Sequence, residues 1–492
     1  MQEYSIKTIQ EMLDKNEITS FKLVQQYLER IKEIDPETNA IIELNPDALD
    51  IAKSLDEERN SKGKRSLLHG IPIIIKDNID TADKMMTTAG SLALEGNYAQ
   101  KDAFVAKQLK DAGAIILAKA NLSEWANMRG KRSNSGWSSR GGQTKNPYVL
   151  NRNPCGSSSG SAVAVASNFC TVAVGTETDG SVICPSGING IVGIKPTIGL
   201  VSRIGIIPIS HSQDTAGPMT RTVEDAAILL TVMAGYDDKD EVTKESISQE
   251  KDYTKFLISD GLKGARLGLN KKHLDMVPKV TKLYESIIQE LKDLGAEIVE
   301  FDEFPTVEKL DESEYNILLY DYKVDLNKYL QGTGLGAKIH SVEELIKFND
   351  EHKETILPLF GQEHLIACLE KSGFESEEYI DAKKVCDQYK NKVIEFFDEN
   401  KLDALITPSN GPSWLIDTVN GDYFTGIEGT TSIAAITGFA NITVPMGYIQ
   451  GLPIGLNFIG KAFSEPTLIK IAYSFEQATK VRKPPQFLKN IE

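Results

Sequence analysis

Two loops rich in glycine and serine, separated by a compact apolar stretch, limit what this chain can fold into more than any other feature. The first reads Asn153-Pro-Cys-Gly-Ser-Ser-Ser-Gly-Ser161, and the second Gly175-Thr-Glu-Thr-Asp-Gly-Ser-Val-Ile-Cys-Pro-Ser186. Between them, Ala162-Val-Ala-Val-Ala166 can pack tightly as a helix. A single loop of this kind would look like a flexible linker. Two of them flanking one short helix suggest two hydroxyls held against each other in a site, which is the reason to suspect a serine hydrolase.

The flanking sequence indicates the fold class. Ile71-Pro-Ile-Ile-Ile75, Ala114-Ile-Ile-Leu-Ala118, Cys170 to Gly175 and Ile191-Val-Gly-Ile-Lys195 are short apolar runs that predict buried strands. Gly205-Ile-Ile-Pro-Ile209 reads as one more. Between the first two runs, Asp102 caps a predicted helix through Ala112, and Gly113 ends it. Strand, helix, strand at this spacing predicts an α/β fold, with a mixed, mostly parallel central sheet covered by helices on both faces.

The first sixty residues read as helices. Ser20 caps one that ends before Pro36, and Asn45-Pro46 opens another. From Asp237 to about Asn400 the chain turns charged, helical and poor in glycine. Buried-strand character returns at Ala404–Thr407, Ile442–Pro445 and Leu452–Gly460. A length of 492 residues exceeds the roughly 250–300 at which single cores usually stop growing. A core that resumes after a helical insert nevertheless predicts one domain over 1–492. Its parts are N-terminal helices (1–60), a catalytic core (66–235), the insert (237–400) and a return to the sheet (402–492).

Composition excludes several classes of function. A formal net charge of −16 argues against nucleic acid as a partner, because phosphate binding needs a basic face. No apolar run approaches 18 residues, and the N-terminus lacks the pattern of a secretory signal, so no membrane association is expected. Cys155, Cys170, Cys184, Cys368 and Cys386 are too scattered for a disulfide framework and form no C-x-x-C pair. The expectation is a cytoplasmic protein, with Cys155 and Cys184 as small packing residues. No metal-ligand cluster or cofactor loop is evident.

A serine hydroxyl needs a base within hydrogen-bond reach. His69 and His211 lie nearest in sequence, but both read as structural. Lys76 follows the apolar run 71–75, where desolvation would lower its pKa towards that of a base. Read on its own, Lys76-Asp77 is first a surface turn. The first loop also satisfies G-x-S-x-G, which would make Ser158 an α/β-hydrolase nucleophile. That motif needs a strand just before it, and Tyr148–Pro154 is polar and broken by proline. A non-catalytic anion site at the following helix is a further alternative, although no G-K-[ST] accompanies the loop.

Taken together, Gly70-Ile-Pro-Ile-Ile-Ile-Lys-Asp-Asn78, the two loops, Gly193-Ile-Lys-Pro-Thr197, Val201-Ser-Arg203, Asp214-Thr-Ala-Gly-Pro218 and Gly451-Leu-Pro-Ile-Gly455 resemble the amidase signature family over nearly the whole chain. The resemblance implies a Ser–cis-Ser–Lys triad in which Ser181 is the nucleophile, Ser157 the bridging serine and Lys76 the base. It implies a cis peptide at Gly156–Ser157 and an oxyanion hole of backbone N–H groups at Thr178, Asp179, Gly180 and Ser181. Ser158 and Gly156 then become supporting residues, and neither cofactor nor metal is required. Amidotransferase-type members usually have arginine two residues after the nucleophile and glycine two before, where this chain has Ile183 and Asp179. Thr176–Ser181, Cys184-Pro185, Asn121–Asn127, Ser135–Ser138 and Leu318–Leu326 instead resemble bacterial peptide amidases. The implied substrate is a peptide C-terminal amide or another small carboxamide. The alternative is a glutaminase like the catalytic subunit of glutamyl-tRNA amidotransferase. Trp125, Trp137, Trp414 and Tyr320 read as core packing.

Overall fold

The computed structural model describes residues 1–334, 336–423 and 430–491. Its framework is one 11-stranded mixed sheet. We number its strands β1 (Ile41–Leu44), β2 (Pro72–Lys76), β3 (Ile115–Ala120), β4 (Val172–Glu177), β5 (Val192–Lys195) and β6 (Thr215–Thr220). The remainder are β7 (Arg266–Asn270), β8 (Glu297–Phe301), β9 (Ala404–Pro408), β10 (Ala440–Ile449) and β11 (Leu452–Gly460). The spatial order is β1-β3-β2-β4-β6-β5-β10-β11-β9-β7-β8. Parallel pairing occupies two blocks, β3-β2-β4 and β9-β7-β8. Between them the run β4-β6-β5-β10-β11-β9 is antiparallel throughout.

The apolar runs are strands because they are buried on both faces. Every residue of β2, β3 and β4 is buried, so these segments cannot alternate polar with apolar residues. The Ser159–Ala166 helix is also buried at every position. Its small residues allow that fit. A Cβ at Gly160 would lie 2.3 Å from the Ala40 carbonyl oxygen and 2.4 Å from that of Asn121. Ser161 Oγ donates to Val174 O at 3.1 Å, which fastens the helix to β4.

Several local expectations require correction. The second helix runs from Ser20 to Thr38 with Thr19 as its cap, passing through Pro36. Pro36 gives no N–H to the helix ladder, and Asp35 accepts from Ala40 N and Thr38 Oγ1 to close the end two residues on. Asn45-Pro46 precedes a helix that begins at Ala48. Asp102 accepts from Ala82 N and does not cap the Phe104–Asp111 helix. Gly205–Ile209 is irregular, with one bridge between Ile206 and Ile79. The segment 237–400 is not purely helical, since it supplies β7 and β8 at one sheet edge. In β8 the pattern is half-exposed and carries two glutamates, so its sequence looks like that of the charged helices around it. Among the described residues, no helix is long and apolar enough to cross a membrane.

The fit around Gly160 generates a test. Gly160→Ala forces a methyl group into backbone atoms and is expected to cost about 1–3 kcal/mol, as overpacking does. Chemical denaturation of the purified protein checks it, and an unchanged midpoint would contradict the packing.

Candidate active site

Three strand ends and the two serine loops meet at one point. Lys76 closes β2 and is fully buried. Its Nζ donates to Ser157 Oγ at 2.7 Å, to Thr176 Oγ1 at 2.9 Å and to Thr176 O at 3.2 Å. Burial lowers the Lys76 pKa to about 7, against the opposing charges of Asp214 and Glu177. Asp77 does not share this space. It accepts from Thr88 Oγ1 and, at 3.2 Å, from Gly90 N, and lies 3.6 Å from Arg140. Among the described residues the lysine thus has hydroxyl and carbonyl partners and no paired carboxylate, which suits a neutral amine.

The first loop is held from several sides. The Gly156–Ser157 peptide is cis. Ser157 O accepts from Ser123 N at 3.1 Å, and Ser159 Oγ donates to Cys155 O at 2.6 Å. Ser158 Oγ donates to Thr176 O at 3.0 Å and accepts from Thr176 N at 3.2 Å, so it is spent on holding the loop to β4. Ser158 N donates to Ser181 O at 3.2 Å, which joins the two loops directly. Among the described residues, no hydrogen bond joins the Ser157 and Ser181 side chains.

The second loop turns sharply between β4 and the Ile183–Ile188 helix. Gly180 has φ +76°, in the left-handed region, and a Cβ there would lie 2.9 Å from Thr431 Oγ1. Glu177 Oε2 accepts from Val182 N at 2.7 Å and Ile183 N at 2.9 Å, tying down the residues after Ser181. Thr178 Oγ1 donates to Asp214 Oδ1 at 2.5 Å. Asp214 Oδ2 in turn accepts from Ile209 N and Ser210 N. Burial raises the Asp214 pKa to about 6, although these donors oppose the shift. The N–H groups of Thr178, Asp179, Gly180 and Ser181 have no protein acceptor among the described residues. Four consecutive free donors beside a serine hydroxyl can stabilise a developing oxyanion.

Sequence reasoning missed Thr176, Glu177 and Asp214 as site residues, though all three lie inside the stretches that carry the family resemblance. It also misread two cysteines. Cys155 and Cys184 form a disulfide between the two loops, and they pack with Ile188 and Trp414. The count and scatter of cysteines excluded a framework, but one pair brought together by folding leaves no such trace. His69 is structural, with Nε2 2.9 Å from Leu55 O. His211 pairs with Asp325 at 2.8 Å, and Asp321 beside it accepts from Ser210 Oγ and Tyr379 OH. These three could approach a metal ion together, but their hydrogen bonds already engage one another and the protein. Arg129 lies over the Phe360 ring at 3.8 Å and over Trp137 at 5.0 Å, which places Trp137 in packing. A cavity of about 690 Å³, lined by Asn78, Thr176, Thr178, Ile207, Asp214 and Tyr329, reaches the Lys76 side of the site.

Known amidases are similar to this chain over most of its length. The amidase family model matches residues 22–469. A probable amidase of Arabidopsis thaliana is 42% identical over 498 residues, covering 99% of this chain and 92% of the relative. The structure of native peptide amidase from Stenotrophomonas maltophilia superposes with a TM-score of 0.93 at 47% identity, covering 98% of each chain. A glutamyl-tRNA(Gln) amidotransferase subunit from Thermoanaerobacter pseudethanolicus is 36% identical, covering 98% of each.

The disulfide is open to direct test. Peptide mapping after alkylation without reductant is expected to recover a linked Cys155–Cys184 peptide and alkylated Cys170, Cys368 and Cys386. Alkylation of all five cysteines would refute the link.

Proposed function

The chain belongs to the amidase signature family and is an amidase, a hydrolase of amide C–N bonds, and on that premise we propose that it cleaves carboxamides through an acyl-enzyme on Ser181. The observation that carries this reading is the buried amine of Lys76 placed 2.7 Å from the hydroxyl of Ser157. A lysine can act as a base only when neutral, and its pKa of about 7 leaves a large neutral fraction near neutrality. Lys76 takes the proton of Ser157, and Ser157 takes that of Ser181 as Ser181 attacks the carbonyl carbon. The free N–H groups of residues 178–181 receive the negative charge that forms on the carbonyl oxygen. An amine leaves poorly as an anion, so Ser157 returns a proton to the nitrogen as the C–N bond breaks. Water then attacks the ester by the same relay, releasing the carboxylate.

The substrate in this reading is a peptide C-terminal amide or a small carboxamide, with ammonia as the second product. Support comes from the 47% identity to peptide amidase and from Ile183 and Asp179 in the second loop. The amidotransferase relatives, at 36% identity, mark a second reading as a glutaminase. Ammonia release from amidated peptides and from glutamine by the isolated chain separates the two. Cleavage of peptide amides is expected, and glutamine hydrolysis without it would favour the second reading.

Ser181→Ala is expected to abolish turnover, a loss on the order of 10⁴-fold or more. Ser157→Ala and Lys76→Ala are expected to lose about 10²–10⁴-fold each, the usual range for acid–base groups. Full activity in purified Ser181→Ala protein would overturn the mechanism. Because Lys76 must be neutral, kcat/KM should rise about tenfold per pH unit below about 7 and level off above it. Lys76→Arg, which cannot lose its proton, should be inactive across that range.

A further inference from the structure

Asn78 is a buried amide that the proton relay does not use. It lies in the turn after β2, 2% exposed, and its backbone oxygen accepts from Ile207 N at 2.8 Å. Its side chain makes one hydrogen bond among the described residues, from Nδ2 to Thr176 Oγ1 at 3.0 Å. Oδ1 is closed to solvent and has no hydrogen-bond partner among those residues. A buried amide with an unpaired carbonyl costs stability, so packing alone is a poor reason for an asparagine here. A leucine would fill nearly the same space without that cost. The one bond that Asn78 does make goes to the hydroxyl that also meets Lys76.

The neighbours of the lysine give that bond a use. A neutral amine has two N–H groups and one lone pair, and Lys76 Nζ has three oxygen neighbours: Ser157 Oγ, Thr176 O and Thr176 Oγ1. Thr176 O can only accept, so it takes one N–H. The other two are hydroxyls, and each can give a hydrogen or take one. If Thr176 gives its hydrogen to the lone pair, the second N–H turns to Ser157 and the base is blocked. If Thr176 accepts, the lone pair is left for the hydrogen of Ser157. We propose that Asn78 is a positioning residue that selects the second arrangement, by donating to Thr176 Oγ1 and holding that hydroxyl as an acceptor. This rests on the reading of Lys76 as the base. Asn78 Nδ2 and Lys76 Nζ then both donate to one oxygen, and the Thr176 hydrogen turns to the cavity of about 690 Å³ that Thr176 borders. No proton moves to or from Asn78, which acts only through Thr176.

The test follows kcat/KM against pH for ammonia release from an N-acetyl dipeptide amide or glutamine, whichever is cleaved faster. Asn78→Leu keeps the volume and removes the donor, and is expected to lower the plateau by about 10–100-fold. The freed Thr176 hydrogen then binds the neutral form of Lys76, so the acid limb should move to lower pH. Asn78→Asp instead accepts the Thr176 hydrogen, which again leaves the Thr176 oxygen open to the amine. Its plateau should stay within about tenfold of wild type. Its limb should move up by about one pH unit or more, because a new negative charge joins those of Asp214 and Glu177 around Lys76. In a Thr176→Val background, Asn78→Leu should cost less than about threefold more, since the hydroxyl it acts on is gone. An Asn78→Leu plateau within about threefold of wild type, or losses that multiply in the double variant, would overturn the proposal. If Asn78→Leu fails to fold, Asn78→Asp decides, and a plateau more than about tenfold below wild type overturns it. In each of these cases an inactive Lys76→Arg leaves Lys76 standing as the base. Full activity in Lys76→Arg overturns both readings.

Discussion

A lysine amine buried against a serine hydroxyl is the contact around which the rest of this structure is arranged. Lys76 reaches that position only because β2 is a strand buried on both faces, ending just where the two loops converge. An ammonium there would need a paired carboxylate, since an isolated buried charge is costly. The nearest acidic neighbour in sequence, Asp77, instead faces Thr88, Gly90 and Arg140. Asp77 lies past the end of β2, in the turn that follows, where its carboxylate is taken up by Thr88 and Gly90. The chain's exit from the strand thus removes the lysine's most obvious counter-ion, and the amine is left with hydroxyl and carbonyl partners.

Around this contact the protein spends its small residues and its buried polar groups on rigidity. The Ser159–Ala166 helix lies between strands with almost no side-chain bulk, and Gly160 lets it touch the backbone at Ala40 and Asn121. Ser158, Ser159 and Ser161 each bond to a backbone carbonyl, so most serines of the first loop are structural. Glu177 and Asp214 play the same part for the second loop, one holding the residues after Ser181 and the other holding Thr178. The disulfide between Cys155 and Cys184 ties the loops to each other. Among the described residues, the four backbone donors at 178–181 have no internal partner, an arrangement that can receive a developing negative charge.

Both the limits and the strengths of sequence reading are visible in particular elements. Runs such as Ile71–Ile75 and Leu452–Gly460 are unambiguous because continuous apolar stretches bounded by turns have few other uses. β8 was hidden because an edge strand with one wet face carries charges and resembles the surrounding helices. Pro36 reads as a helix end, yet the helix continues two residues beyond it, closed by the Asp35 carboxylate.

What the sequence determined by itself is the set of parts: buried strands, the small-residue helix, two serine loops and a lysine at a strand end, together with the family to which that order belongs. The strands, the helix and the loops follow from local periodicity and composition, and the family from the resemblance of the motifs. Only the tertiary structure decided which groups face one another. It turned Asp77 away from Lys76, brought Thr176 within reach of the amine and joined two cysteines 29 residues apart. Such pairings join residues far apart in the chain, and no local pattern encodes them, because they arise from how the strands are ordered in the sheet.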